Sequence, residues 1–251
     1  MTNILEEMWG GQTLVLGHRG ASAYAPMNTL PAFELAAAQG ADGIELDVWL
    51  CAGGEQLVIL HDATVDHTTD GSGYVFEKSF AELRELDASY QFEAYRGVQI
   101  PTLDEVFEAV GRKLLINVEI KADERMIPGT ERAVADCIRR HGMSRRVLVS
   151  SFSAQVLKNF HEVMPEVPIA FLYDTDTPAS EWATIASVPH QAIHPRHTLV
   201  DAALMEKARA DSHVVNTWTV NEPERAVELA RLGVVGIITD NPDKILAALG
   251  R

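Results

Sequence analysis

Eight short apolar runs recur along the chain, each separated from the next by a longer amphipathic stretch. The runs are Leu14–Leu16, Ile44–Val48, Leu115–Ile120, Val147–Val149, Val167–Leu172, Gln191–Ile193, Val214–Val215 and Gly236–Ile238. Short strands alternating with helical stretches of about 10–15 residues are the pattern of βαβ units with a parallel sheet. A chain of 251 residues matches the usual length of a single (β/α)8 barrel, ~250 residues. The expected fold is therefore α/β, a TIM barrel occupying residues 1–251 as one domain. Helix-start signals fall where this alternation needs them. Thr102–Glu105 reads as a capping box, Asn221 as an N-cap followed by Pro223, and Pro242 as a first helical residue. The rhythm breaks once. Between His61 and Pro101 there is only a glycine-rich turn, Asp70–Gly73, and one short helix after Ser79. We read residues 62–100, approximately, as a small insertion after strand two, beside the barrel mouth.

Composition narrows the function. Apolar residues make up 47% of the chain, enough for a large core. Lys and Arg number 21 against 36 Asp and Glu, a formal charge of −15. That balance argues against a nucleic-acid or anionic-membrane surface. An anionic substrate would need local positive charge, from a metal ion or a few placed Arg and Lys. The two cysteines, Cys51 and Cys137, make no disulfide framework and fit a reduced, cytoplasmic setting. The first residues, MTNILEEMWGGQ, carry no basic region or long apolar run, so neither signal peptide nor membrane anchor is expected.

The chemistry collects at strand ends. Glu45 and Asp47 are two apart on a strand, so both side chains share one face, and Asn117, Glu119 and Lys121 do the same. Acids inside apolar strands are costly unless compensated. Three converging carboxylates call for a divalent cation, and all-oxygen ligation favours Mg²⁺ or Ca²⁺ over Zn²⁺. The competing reading pairs each acid separately with Arg or Lys. His18 and His61 each follow an apolar run, a position that in a barrel lines the active-site face. Imidazoles titrate near ~6.5 and suit paired general acid–base work. Arg19 and Lys121 supply charge for a phosphate.

Taken together these motifs resemble the glycerophosphodiester phosphodiesterase family, a TIM-barrel family, from about Leu14 to Pro242. The likeness rests on His18-Arg19-Gly20, Pro26–Thr29, Glu45-Leu46-Asp47, His61-Asp62, Asp66–Gly73, Ile100–Leu103, Asn117–Lys121, Ser151-Phe152, Trp218–Asn221 and Gly236–Pro242. It implies hydrolysis of a small-molecule glycerophosphodiester to glycerol 3-phosphate and an alcohol. It further implies Glu45, Asp47 and Glu119 as ligands of one divalent ion, His18 and His61 as the acid–base pair, Arg19 and Lys121 on the phosphate, and Trp218 lining the glycerol end. The competing functions are a phosphodiesterase for lysophospholipids or other bulky diesters, and a non-catalytic phosphodiester binder. One position departs from the family, which usually carries Glu before the Asn-Thr of the first helix where this chain has Met27.

Other residues receive plainer readings. His194–His197 is expected in a loop at the mouth, with His194 able to touch a head group, because Pro195 prevents a regular helical pair. Asp240, after the last strand, can hold a loop or a histidine, and loop structure is the favoured reading. Tyr90, Phe92 and Tyr95 are read as packing the insertion. His67, His141, His161, His190 and His213 are read as surface or packing residues.

Overall fold

The computed structural model describes Leu5, residues 11–54 and residues 56–251. The amino-terminal stretch read above as lacking a leader is therefore outside the described residues, apart from Leu5, Gly11 and Gln12.

Each of the eight apolar runs forms a strand. They are β1 (Leu14–His18), β2 (Gly43–Leu50), β4 (Leu115–Ile120), β5 (Val147–Ser151), β6 (Ile169–Tyr173), β7 (Ala192–Pro195), β8 (Val214–Thr217) and β9 (Gly236–Thr239). All pair in parallel with their neighbours, and the pairing of β1 with both β2 and β9 closes the sheet into a barrel. The intervening stretches form the outer helices α1 (Leu30–Ala38), α3 (Leu103–Val110), α4 (Thr130–Arg140), α5 (Ala154–Val163), α6 (Ala179–Ile185), α7 (Ala202–Ala210), α8 (Pro223–Leu232) and α9 (Pro242–Ala248). The fold is a TIM barrel.

The period of two along each strand divides the barrel's contents. Outward-facing Ile44, Leu46, Val48, Ile116, Val118 and Ile120 pack with the helices in the largest apolar cluster. Inward-facing Leu14, Leu16, Leu148, Ala170, Ala192, Val214 and Ile238 form the floor of the barrel, joined by Leu5. Above that floor the inward positions turn polar. His194 and Asn216 are fully buried there, the Asn216 amide nitrogen donating to His194 Nε2 at 2.9 Å. His194 thus lies on β7 inside the barrel and not in a mouth loop as its sequence suggested. Burial holds its imidazole far down, at about 3, and so neutral.

The helix caps follow their sequence signals with one exception. The Thr102 hydroxyl accepts from Glu105 N at 3.1 Å while Glu105 reaches back to Thr102 N at 2.8 Å. Such caps are worth about 1 kcal/mol. Asn221, in contrast, does not cap α8. Glu222 holds that position, and the Asn221 side chain is spent on Asp240 instead.

The insertion begins differently from its sequence reading. Strand β2 runs on past the barrel, and its last residues pair antiparallel with β3 (Leu57–Ile59), Val48 opposite Ile59 and Leu50 opposite Leu57. This hairpin turns through Gly53 and Gly54, both at positive φ, a conformation that glycine adopts without strain. The chain then returns to the mouth, where Leu60 N donates to Asp47 O at 3.1 Å. The remainder of the insertion carries α2 (Phe80–Arg84), capped by a second box at Ser79. Trp49, Val58, Leu60, Val75, Phe76 and Leu83 give this layer an apolar cluster of its own. No helix among the described residues is long and apolar enough to cross a membrane.

Candidate active site

Parallel register brings the acids together. Asp47 on β2 lies opposite Glu119 on β4, Glu45 opposite Asn117, and His18 at the end of β1 opposite Glu45. Carboxylate oxygens of Glu45, Asp47 and Glu119 lie within 4.8 Å of one another, all three residues buried. Two cations stand beside them. Lys121 Nζ is 2.7 Å from Glu119 Oε1 and 3.3 Å from Asp47 Oδ1, and Arg19 Nε is 3.4 Å from Asp47 Oδ2.

The charges do not balance: three carboxylates face two cations. Burial, reinforced by the Asp47 and Glu119 carboxylates, pushes the Glu45 carboxyl well above its ordinary range. Glu119 is raised as well, burial outweighing Lys121. Burial acts to raise Asp47 too, but Lys121 and Arg19 hold it below its ordinary value. A proton on Glu45 is thus the cheapest way to meet the excess negative charge. Both polar atoms of the Asn117 side chain are buried beside these acids without a hydrogen-bond partner. A cluster of hard oxygen donors short of positive charge, with an unpartnered amide next to it, fits a divalent cation. The three acids are the residues that would hold one.

Both histidines reach the same place by different routes. His18 ends a barrel strand, and its Nδ1 is 2.7 Å from Asp240 Oδ1. His61 is delivered by the returning hairpin, and its Nδ1 is 2.6 Å from Asp62 Oδ1. Burial lowers the His61 imidazole from its ordinary value, outweighing the Asp47 carboxylate. Asp240 takes the second of its two sequence readings, holding a histidine, over the favoured loop role. It accepts from His18, Ser22 Oγ at 2.9 Å and Asn221 Nδ2 at 2.6 Å. Burial would raise its carboxyl, but these bonds bring it down to about 2.

The loop after β1 is shaped by backbone conformation. Arg19, Gly20 and Asn28 all have positive φ. A Cβ on Gly20 would sit 2.5 Å from the Ala32 backbone of α1, so only glycine fits. This turn aims Arg19 N at Glu45 Oε2, 3.2 Å away, and the Asn28 amide donates to Asp47 Oδ2 at 2.8 Å. Met27, where the family usually has Glu, accepts from Arg19 Nη1 through its sulfur at 3.4 Å. Its thioether therefore lies beside the guanidinium.

A cleft of about 50 Å³ opens at the mouth, with His18, Arg19, Glu45, His61, Glu119 and Trp218 on its walls. Trp218 is fixed by its indole N–H, which donates to His194 O at 2.8 Å, and by Phe152, edge-on at 5.4 Å. Asp47 and Lys121 are not on the walls. Of the residues singled out from the sequence, all eight lie in this cluster. Sequence reasoning gave no role to Asn28 and undervalued Asp240. The asparagine of Pro26–Thr29 and the run Thr239-Asp240-Asn241 after the last strand are the available signals.

Residues 18–244 match the model of the glycerophosphoryl diester phosphodiesterase family. The chain belongs to that family. A glycerophosphodiester phosphodiesterase of Caldanaerobacter subterraneus subsp. tengcongensis is 38% identical over 94% of this chain and 97% of its own. One from Bacillus altitudinis is 37% identical, covering 92% of this chain and 96% of the relative. Among solved structures, an Oleispira antarctica phosphodiesterase in complex with the product sn-glycerol-3-phosphate superposes with a TM-score of 0.88. It is 28% identical and covers 97% of this chain and 99% of the other. This family member is accordingly a phosphodiester hydrolase on a TIM barrel.

Proposed function

We propose that the chain hydrolyses small-molecule glycerophosphodiesters to glycerol 3-phosphate and an alcohol, as one catalytic domain holding one divalent ion, Mg²⁺ or Ca²⁺. The observation that carries this reading is that the Glu45, Asp47 and Glu119 carboxylates cluster where Glu45, Glu119, His18 and His61 line one cleft, with Asp47 just behind its wall. The Oleispira relative, described with sn-glycerol-3-phosphate as its product, supports the same product here.

The ion, when bound by the three acids, supplies Lewis-acid stabilisation of charge on a phosphoryl oxygen. The remaining tasks belong to side chains. His18 and His61 are each held through Nδ1 by a carboxylate, which presents Nε2 for proton transfer. One imidazole takes a proton from the nucleophile, and the other gives one to the departing alcohol oxygen. Burial favours the neutral form of His61, the form needed to accept a proton. Arg19, on the cleft wall, binds the phosphate, and Lys121 adds positive charge through the acids it bridges. Trp218 closes the glycerol side.

The test is release of glycerol 3-phosphate from glycerophosphocholine, with and without EDTA. Turnover that EDTA abolishes, and Mg²⁺ or Ca²⁺ restores, is the expected result. Full turnover in excess chelator removes the metal from the account. Absence of turnover on every glycerophosphodiester, with metal supplied, removes the activity.

A further inference from the structure

A second group of metal-competent side chains lies in the outer layer of the barrel. Asp104 sits in the first turn of α3, Cys137 in the last turn of α4, and His141 caps α4. Cys137 and His141 are four residues apart, so they share one face of the helix end. One donor atom from each of the three lies within 4.8 Å of the other two.

The arrangement is focused on a single point. His141 Nε2 is 2.7 Å from Asp104 Oδ1. Arg140 donates to the same carboxylate, from Nη2 to Oδ2 at 2.8 Å and from Nη2 and Nε to Oδ1 at 2.6 and 3.0 Å. Cys137 is fully buried, while the side chains of His141 and Asp104 remain 18% and 27% exposed. A solute can therefore enter from the Asp104 and His141 side. That opening suits a small ion and not a bulky substrate, which argues against a Cys–His nucleophile. The set of one sulfur, one imidazole nitrogen and one carboxylate oxygen is borderline-soft, unlike the all-oxygen set at the mouth.

We propose that Asp104, Cys137 and His141 form a second cation site, selective for Zn²⁺-class ions, that ties α3 to α4. The ion takes the place of the proton now held between His141 and Asp104 and of the thiol proton. Cys137 binds as thiolate and its proton leaves to solvent. His141 moves its remaining ring proton from Nε2 to Nδ1, so one proton is released per ion. Water completes a tetrahedral shell, and Arg140 stays on the Asp104 oxygen that does not ligate, orienting it as outer partners do. The site is independent of the active-site reading.

Cobalt tests the proposal, because thiolate-bound Co²⁺ absorbs strongly in the near ultraviolet and carboxylate-bound Co²⁺ does not. Co²⁺ titrated into the full chain, with the mouth acids presaturated by Mg²⁺, is expected to raise that band to saturation at one thiolate-bound ion per chain, with Zn²⁺ displacing it. Cys137→Ser should abolish the band, whereas Cys51→Ser and Glu119→Gln should keep it. His141→Gln retains the thiol and should weaken cobalt binding at least tenfold, which keeps the test decisive if Cys137→Ser folds poorly by circular dichroism. No band with folded wild-type protein, a band that survives Cys137→Ser, or unchanged affinity in His141→Gln overturns the proposal.

Discussion

The floor and the mouth of the barrel are built from the same strands, a few residues apart, yet they obey opposite rules. On the floor, Leu14, Leu16, Leu148, Ala170 and Val214 are apolar and buried. At the mouth, Glu45, Asp47, Asn117 and Glu119 are also buried, but three acids compete for two cations and an amide has no partner. The floor is packed for stability, while the mouth keeps unmet electrostatic demand that a cation and an anionic substrate can satisfy. The difference shows that burial alone does not mark a core. The chemical type of the buried residue decides which end works.

Mutations that act on one region and spare the other test this division. The largest effect is expected at the mouth, from His61→Ala and His18→Ala. Each should lower kcat by about 10²–10⁴-fold, with KM changed far less, because general acid–base groups act in the transition state. Near-normal turnover in either variant takes that histidine out of the mechanism. An activated leaving group should rescue the variant that lacks the general acid.

On the floor, Leu148→Ala should show the reverse. Truncating a fully buried leucine costs about 2–5 kcal/mol of stability, read from denaturant unfolding, while the folded fraction keeps its kcat. Loss of kcat without loss of stability would mean that the two regions are not separable.

At the mouth, one step behind the reacting groups, stands the Asp240–His18 contact. Asp240→Asn keeps the shape but weakens the bond that orients His18, and should cost about tenfold in kcat, or ~1.4 kcal/mol. The same carboxyl carries a pH signature. Held down at about 2 against an ordinary 3.8, it contributes stability that is present above about 3.8 and is lost as pH falls toward 2. Acid unfolding of Asp240→Asn should therefore be shallower over that window. An identical acid limb would contradict the assignment.

The smallest effect is expected from His194, which belongs to neither extreme. Its folded value of about 3 lies below the ordinary 6.5, so it contributes stability above 6.5 that is lost as pH falls toward 3. Replacing it with Gln should flatten stability over that window and leave kcat at neutral pH within a few-fold. A kcat loss as large as that of His61→Ala would place His194 in the reaction.

Much of this division is legible in the residues themselves. The eight strands announce themselves because parallel barrel strands, covered on both faces, read as continuous apolar runs. Glu45, Asp47 and Glu119 interrupt those runs at period-two spacing, and His18 follows one directly. The route of His61 was less legible. Leu57–Leu60 looks like any short apolar run, and nothing local shows that β3 runs antiparallel outside the barrel. His194 was misplaced because Pro195 suggested a loop, although proline is tolerated at the end of a strand. Asp240 was undervalued because its partner, His18, is 222 residues away. Such a contact exists only once the barrel has closed.

The central claim is that the mouth gives up stability for function, and Glu45→Gln tests it most directly. Glu45 is the acid most strongly driven to hold a proton, and glutamine preserves its shape and an acceptor for Arg19 N. The measurement is kcat on glycerophosphocholine with saturating Mg²⁺ or Ca²⁺, together with Tm in chelator, on the same preparation. The account predicts a kcat loss of at least about 100-fold, or ~2.7 kcal/mol, with Tm in chelator unchanged or raised. Retained kcat together with a large fall in Tm would contradict it, and would make Glu45 part of the framework and not of the reaction.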